Sequence, residues 1–197
     1  YDRLVSRDVL ALGRRDAQLI YVGKREGNHG VGQDGINALI VEEALAGKRV
    51  VRLKGGDPLL FARAGEELNQ LRAHDIHTEV IPGISAFQGI AASAQIPMTD
   101  REHSNSLTLV TGHLQDGTFK DWARLAGKEQ TLAVYMGVKS APKISAGLMA
   151  HGVKGSTLVA VVENGTRANE RRFYGTLETL PQLVTENAKK PGTLIDR

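Results

Sequence analysis

The sequence predicts an α/β fold. Short, β-branched and nearly continuous apolar runs alternate with longer stretches of helical spacing, and glycine-bearing turns follow several of the runs. With 197 residues, 41% of them hydrophobic and 24% charged, the chain can build a proper core, as one domain or as two small ones sharing a cleft. Residues 19–22, 50–53, 79–81, 107–111, 131–136 and 158–162 read as strands. Each is short and apolar along its whole length, the pattern of strands covered on both faces. Residues 36–46 have helical spacing and stop at Gly47, a normal C-terminal signal. Further helices are expected over 65–74, 85–94, 120–125, 142–151 and 177–187. Around 97–105 the chain carries polar turn chemistry and little periodicity, which places a boundary between a first domain, 1–102, and a second, 103–197. There is no internal repeat and no low-complexity segment.

Composition excludes several classes of function. Aromatic residues are 5% of the chain, too few for a surface that stacks bases. The net charge of +3 and a sequence pI near 9.2 suit an acidic ligand, but no run of five basic residues occurs, so no nucleic-acid partner is expected. The absence of cysteine rules out disulfides, thiolate zinc sites and cysteine nucleophiles, and fits a reducing cytoplasm. No apolar stretch approaches the roughly 18 residues of a membrane span, and no signal peptide is visible. His74 and His77 are the only close histidine pair and lack an obvious third ligand, so no metal is expected. The chain opens at Tyr1-Asp2-Arg3 without an initiator methionine, and reads as a piece of a longer protein.

The glycine turns are where chemistry is expected. Arg52-Leu53-Lys54-Gly55-Gly56-Asp57-Pro58 follows an apolar run; its glycines let backbone approach a ligand, and Pro58 restrains Asp57. A tight strand-to-helix turn explains the same spacing equally well. In Ile81-Pro82-Gly83-Ile84-Ser85-Ala86-Phe87-Gln88, Ser85 and Gln88 have capping-box spacing at a helix start, which needs no ligand but whose amides suit one. Tyr135-Met136-Gly137 and Val162-Glu163-Asn164-Gly165-Thr166 each close a strand, the end at which open α/β sheets gather ligands. The dinucleotide fingerprint, the phosphate loop and the nucleophile elbow are all missing.

Taken in order, these blocks resemble the uroporphyrinogen III C-methyltransferases of the tetrapyrrole methylase family. The order runs Tyr-Asp-Arg-Leu-Val-Ser, Tyr-Val-Gly-Lys-Arg, His-x-x-x-Gln-x-x-Ile-Asn, Arg-Leu-Lys-Gly-Gly-Asp-Pro, Ile-Pro-Gly-Ile-Ser-Ala, Val-Thr-Gly-His, Tyr-Met-Gly and Val-Glu-Asn-Gly-Thr. The likeness spans residues 1–166, weakens afterwards, and is closest to the methyltransferase module of bacterial sirohaem synthases, in which a dehydrogenase–ferrochelatase module comes first. It implies two α/β domains with the active-site cleft between them, unlike the Rossmann-type methyltransferases, and a homodimer. It also implies S-adenosyl-L-methionine as cofactor, S-adenosyl-L-homocysteine as product and uroporphyrinogen III as substrate, methylated through precorrin-1 to precorrin-2 on the way to sirohaem and cobalamin.

Carried over residue by residue, the resemblance puts the proton acceptor on Asp2 and the proton donor on Lys24. Cofactor contacts fall on Gly55, Gly56, Asp57, Leu60, Ser85, Ala86, Met136 and Gly165. Arg52 and Lys54 flank the glycine turn and are candidates for substrate carboxylates, Arg being better suited to bidentate binding; surface solubility would explain both equally. His29, Gln33 and Asn37 are weaker candidates. Two departures stand out. The family's opening strand with its Gly-x-Gly-x-Gly-Asp loop is missing, and the sequence stops before the family's last strand, so this stretch is expected to be at risk of inactivity. The competing expectations are another precorrin methyltransferase, a ribosomal-RNA ribose methyltransferase of the same fold, or a truncated module that only binds ligand or dimerises.

Overall fold

The computed structural model describes residues 1–23, 31–112, 121–187 and 192–196. The chain divides into two compact units, Tyr1–Ser85 and Ala86–Arg197. The division falls earlier than the 102/103 boundary read from the sequence. The reason is the helix after Ser85, whose Phe87 and Ile90 pack with Ala133, Ala160 and Val162, all residues of the second unit.

The second unit is built on a five-stranded sheet: β1 (Ser106–Thr111), β2 (Gln130–Tyr135), β3 (Leu158–Glu163), β4 (Arg171–Thr176) and β5 (Gly192–Asp196), in the order β1-β2-β5-β3-β4. β1 and β2 are parallel in register Ser106 to Gln130, while β5 is antiparallel to both β2 and β3, and β4 is antiparallel to β3. β2 and β3 therefore point the same way, and the turns that follow them leave the same end of the sheet.

The continuous apolar character of the central strands has its expected cause, because both faces are covered. Leu132, Val134, Val159 and Val161 pack on one face against Ala141, Ile144 and Leu148 of α6 (Ala141–Ala150) and Leu180 and Val184 of α7 (Leu180–Asn187). The alternate residues Ala133, Ala160 and Val162 meet α4 (Ala86–Ala94) on the other. A short helix, α5 (Trp122–Leu125), is capped by the Asp121 carboxylate, which accepts from the Arg124 amide at 3.0 Å.

The first unit holds α1 (Arg7–Ala11), α2 (Gln33–Leu45) and α3 (Ala64–Ala73). Its core is small: Val22, Ile36, Ile40, Val41 and Leu71. α2 ends where expected, with Gly47 at φ 78°. The strands expected at 19–22, 50–53 and 79–81 are not present as strands among the described residues. A strand exists only through its ladder partner; among the described residues 50–53 and 79–81 have none, and 19–22 meets Tyr1 alone, the Val22 amide donating to the Tyr1 carbonyl and the Tyr1 ammonium to the Ile20 carbonyl, both at 2.9 Å. In 50–53 and 79–81 apolar side chains are correspondingly exposed, Val51 at 73% and Ile81 at 69%, whereas Val22 is buried. No helix among the described residues is long and apolar enough to cross a membrane.

Candidate functional site

Each unit gathers part of the residues singled out in the sequence. In the first unit, Asp2 is fixed at both carboxylate oxygens: Oδ1 accepts the Leu4 amide at 2.9 Å, and Oδ2 accepts from the Arg52 guanidinium at 3.3 Å. With Tyr1, Arg3, Arg7 and Tyr21 it lines a depression of about 310 Å³. Two residues further on, Leu4 lies over the glycine turn. A Cβ on Gly55 would stand 2.8 Å from the Leu4 Cβ, so this approach requires glycine.

The next glycine, Gly56, is exposed and sits at φ 75°, where any other residue would be strained. Asp57 braces the turn internally, its Oδ1 accepting the Leu59 amide at 2.9 Å and its Oδ2 the Gly83 amide at 3.2 Å. Gly83, part of a glycine turn read in the sequence but given no contact there, is needed for that brace: a Cβ on it would come within 2.6 Å of the Gly56 carbonyl oxygen. The Pro82-Gly83 pair was the available signal. Leu60 is half-buried, its amide donating to the Asp57 carbonyl at 3.4 Å, and Ser85 is buried at the end of this unit.

Arg52 and Lys54 were expected to face substrate carboxylates, but both are turned inward. The Lys54 ammonium, its side chain 7% exposed, donates to the Ala62 carbonyl at 2.7 Å and to both oxygens of Glu67, at 3.0 and 2.9 Å. Arg52 donates through Nε to Glu67 at 3.2 Å and through an amino group to the Leu53 carbonyl at 2.8 Å. Glu67, buried in the first turn of α3, takes a further bond from Gln33 at 3.3 Å. Gln33 also donates to Asn37 at 2.9 Å, and Asn37 is buried rather than on a helix surface. Buried ions persist only when paired and hydrogen-bonded, and these charges satisfy one another. Glu67 was not found in the sequence, since an acidic residue at the start of a helix looks like a solvated one. Lys24 and His29 lie outside the described residues.

In the second unit, the turns after β2 and β3 and the first residues of α4 belong together. Met136 adopts φ 56°, and the turn it forms is packed tightly: a Cβ on Gly112 would lie 2.6 Å from the Gly137 Cα. The Tyr135 hydroxyl accepts the Phe87 amide at 3.0 Å, one residue beyond the exposed Ala86. Gly165 lies against α4 so closely that a Cβ would meet Ile90 Cγ1 at 2.2 Å. Its neighbours Asn164 and Thr166 both have positive φ. Left-handed conformation at non-glycine residues persists where the surroundings hold it, and Glu170 is the holder. It accepts the Thr166 amide, the Ser93 hydroxyl at 3.0 Å and the Arg172 guanidinium. Burial alone pushes the Glu170 carboxyl up, but the Thr166 amide, Arg172 and Ser93 together hold it below its ordinary value.

These turns match a known family. A model of the Tetrapyrrole (Corrin/Porphyrin) Methylases matches residues 1–181. The siroheme synthase of Pseudomonas aeruginosa PAO1 is 52% identical over 99% of the chain, and that of Nitrosomonas europaea 48% over 99%. The chain spans only about two fifths of these relatives, 42% and 41% of their lengths. Among solved structures, the uroporphyrin-III C-methyl transferase from Thermus thermophilus complexed with S-adenyl homocysteine superposes with a TM-score of 0.82 at 34% identity. It is matched by 100% of this chain and over 83% of its own. A cobalt precorrin-4 methyltransferase shares the fold at a TM-score of 0.86 and 21% identity, over 98% of this chain and 80% of its own. A family model covering most of the chain and relatives at about half identity along nearly all of it lead to one conclusion: the chain belongs to the tetrapyrrole methylase family.

Proposed function

We propose that the chain transfers methyl groups from S-adenosyl-L-methionine to carbon atoms of uroporphyrinogen III, giving precorrin-1 and then precorrin-2 for sirohaem and cobalamin synthesis. The observation that carries this reading is the packing of Leu4 on Gly55, which ties the segment bearing Asp2 directly to the glycine turn. A carboxylate suited to proton transfer and a backbone suited to the cofactor are held by one contact.

The residues present fit that cofactor. Gly56 offers exposed backbone without a side chain, and the Gly55–Asp57 turn is rigidly braced through Gly83. Contacts are assigned to Gly55, Gly56, Asp57, Leu60 and Ser85 in the first unit, and to Ala86, Met136 and Gly165 in the second. When bound, S-adenosyl-L-methionine supplies an electrophilic sulfonium methyl, so no metal is needed. The protein's work is positioning the electron-rich pyrrole carbon in line with that methyl. Attack would form the carbon–carbon bond as the methyl's carbon–sulfur bond breaks, with S-adenosyl-L-homocysteine as the leaving group, and would leave a cationic ring that must lose a proton. Asp2 stabilises the cation and takes the proton.

Arg3 and Arg7, which line the depression beside Asp2, replace Arg52 and Lys54 as the cations offered to substrate carboxylates. Lys24 as proton donor rests on the family resemblance, as do a homodimer, an upstream dehydrogenase–ferrochelatase module in the same chain and a cytoplasmic place of action.

Calorimetric titration with S-adenosyl-L-homocysteine, followed by product analysis with uroporphyrinogen III, tests the reading. Micromolar binding and methylated product are expected; binding with turnover only of a later precorrin would move the enzyme to another step. Asp2→Ala should lower kcat by 10²-fold or more, on the order of a lost general base, with cofactor affinity nearly intact. Equal losses of both would remove Asp2 from catalysis.

A further inference from the structure

We propose that Glu67 is a positioning residue for methyl transfer: it acts on Asp2 through Arg52, holding the guanidinium that in turn holds the carboxylate. This deepens the reading above, in which Asp2 is the proton acceptor, and rests on it.

The geometry is a chain of alternating charges. Lys54, Glu67, Arg52 and Asp2 follow one another at 2.9, 3.2 and 3.3 Å, and they sum to zero. Exposure rises along the chain, from side chains 7% and 5% exposed at Lys54 and Glu67 to 17% at Arg52 and 25% at Asp2. The buried end is over-determined. Glu67 takes Lys54 on both oxygens, with Gln33 and Arg52 on Oε1, and Lys54 is tied as well to the Ala62 carbonyl. Among the described residues, the open end is held only by the Leu4 amide and the Arg52 amino group.

Arg52 has the shape for the link. A planar guanidinium fixes the directions of Nε and the amino groups together, so seating Nε on Glu67 and one amino group on the Leu53 carbonyl leaves the other aimed at Asp2. Glu67 has a second effect, through charge. Two cations of the chain stand against two carboxylates; without Glu67, both would bear on Asp2 and hold it more firmly in the ion pair. Shape and charge thus act together, Glu67 aiming Arg52 while balancing it.

The test compares Glu67→Gln, Glu67→Asp and Arg52→Lys in the full chain, with S-adenosyl-L-homocysteine affinity as the check of folding. Glu67→Gln should reduce kcat about tenfold, a fraction of the cost of losing the base itself. It should leave KM and cofactor affinity unchanged, so that the loss falls on kcat alone. Glu67→Asp keeps the charge at shorter reach, so it should recover kcat only in part.

The carboxyl-carbon NMR signal of Asp2, read at fixed pH, gives a readout independent of turnover. It should shift in Glu67→Gln and move back in Glu67→Asp. Should Glu67→Gln not fold, Arg52→Lys decides, since an ammonium seated on Glu67 no longer reaches Asp2 and must shift the same signal. Wild-type kcat in folded Glu67→Gln would overturn the proposal, as would an unmoved Asp2 signal in either variant. A wild-type chain that binds the cofactor yet methylates no uroporphyrinogen overturns the proposed reaction instead, and the NMR signal then judges the positioning by itself.

Discussion

The two units are stabilised in different ways. The second has a continuous five-stranded ladder with apolar layers on both faces. The first has no ladder among its described residues and a core of five buried residues, and its key turns are tied by side-chain bonds and the Lys54–Glu67–Arg52–Asp2 chain. Backbone ladders and close-packed layers are cooperative and insensitive to single polar changes; side-chain ties are local and specific. The second unit is therefore held by extended cooperative packing, and the first by local ties around a small core.

The strongest way to break this comparison is a matched pair of core truncations. Leu148→Ala, at a fully buried position between sheet and helices, should cost about 4 kcal/mol in urea unfolding. Ile40→Ala in the smaller cluster should cost about 2 kcal/mol, and equal losses would mean that the first unit is as firmly packed as the second. Next in size, Gly165→Ala drives a methyl into Ile90 and should cost about 1–3 kcal/mol as an overpacked contact. It should also weaken S-adenosyl-L-homocysteine binding, and unchanged affinity would remove this turn from the cofactor site.

A smaller effect concerns Glu170. Its carboxyl lies below the ordinary value when folded, so its contribution is present above the unfolded value and disappears as pH falls through the folded one. From about pH 5 downward, wild type should lose more stability than Glu170→Gln in parallel melts; parallel curves would show that the clasp on Thr166 is not electrostatic. The smallest effect is expected at Val51, 73% exposed, where replacement by Ser should change stability by less than about 0.5 kcal/mol. Amides 50–53 should exchange far faster than those of β2, and slow exchange there would reveal a partner strand.

The same contrast explains what the sequence disclosed. Three strands of the second unit, β1, β2 and β3, were legible within a residue or so because burial on both faces writes a continuous apolar run. β4 was missed because Arg171, Arg172 and Gly175 interrupt the run, as an edge strand permits. In the first unit, apolar runs at 50–53 and 79–81 were read as strands; hydropathy reports a preference, whereas pairing depends on a second segment.

The family resemblance, carried by ordered blocks, proved sound. The glycine turns were also legible, since φ 75° at Gly56 and the close approaches at Gly55 and Gly165 leave their mark on residue type. The fate of Arg52 and Lys54 was not legible, because it is decided by Glu67, 15 and 13 residues further along the chain. Nothing local distinguishes a cation facing solvent from one facing a buried carboxylate.

The place of β5 has a consequence for how the protein is made. β2 and β3 share no ladder of their own; each pairs on its inner edge with residues 192–196, the last strand in chain order. As the ribosome releases the polypeptide, β1 can join β2 and β3 can join β4, but the two ribbons wait with open edges until the 192–196 segment emerges and threads between them. Nascent chains paused before it expose two apolar edges ready to pair with a neighbour. A handful of residues thus decides whether this unit becomes one sheet or a sticky pair of halves.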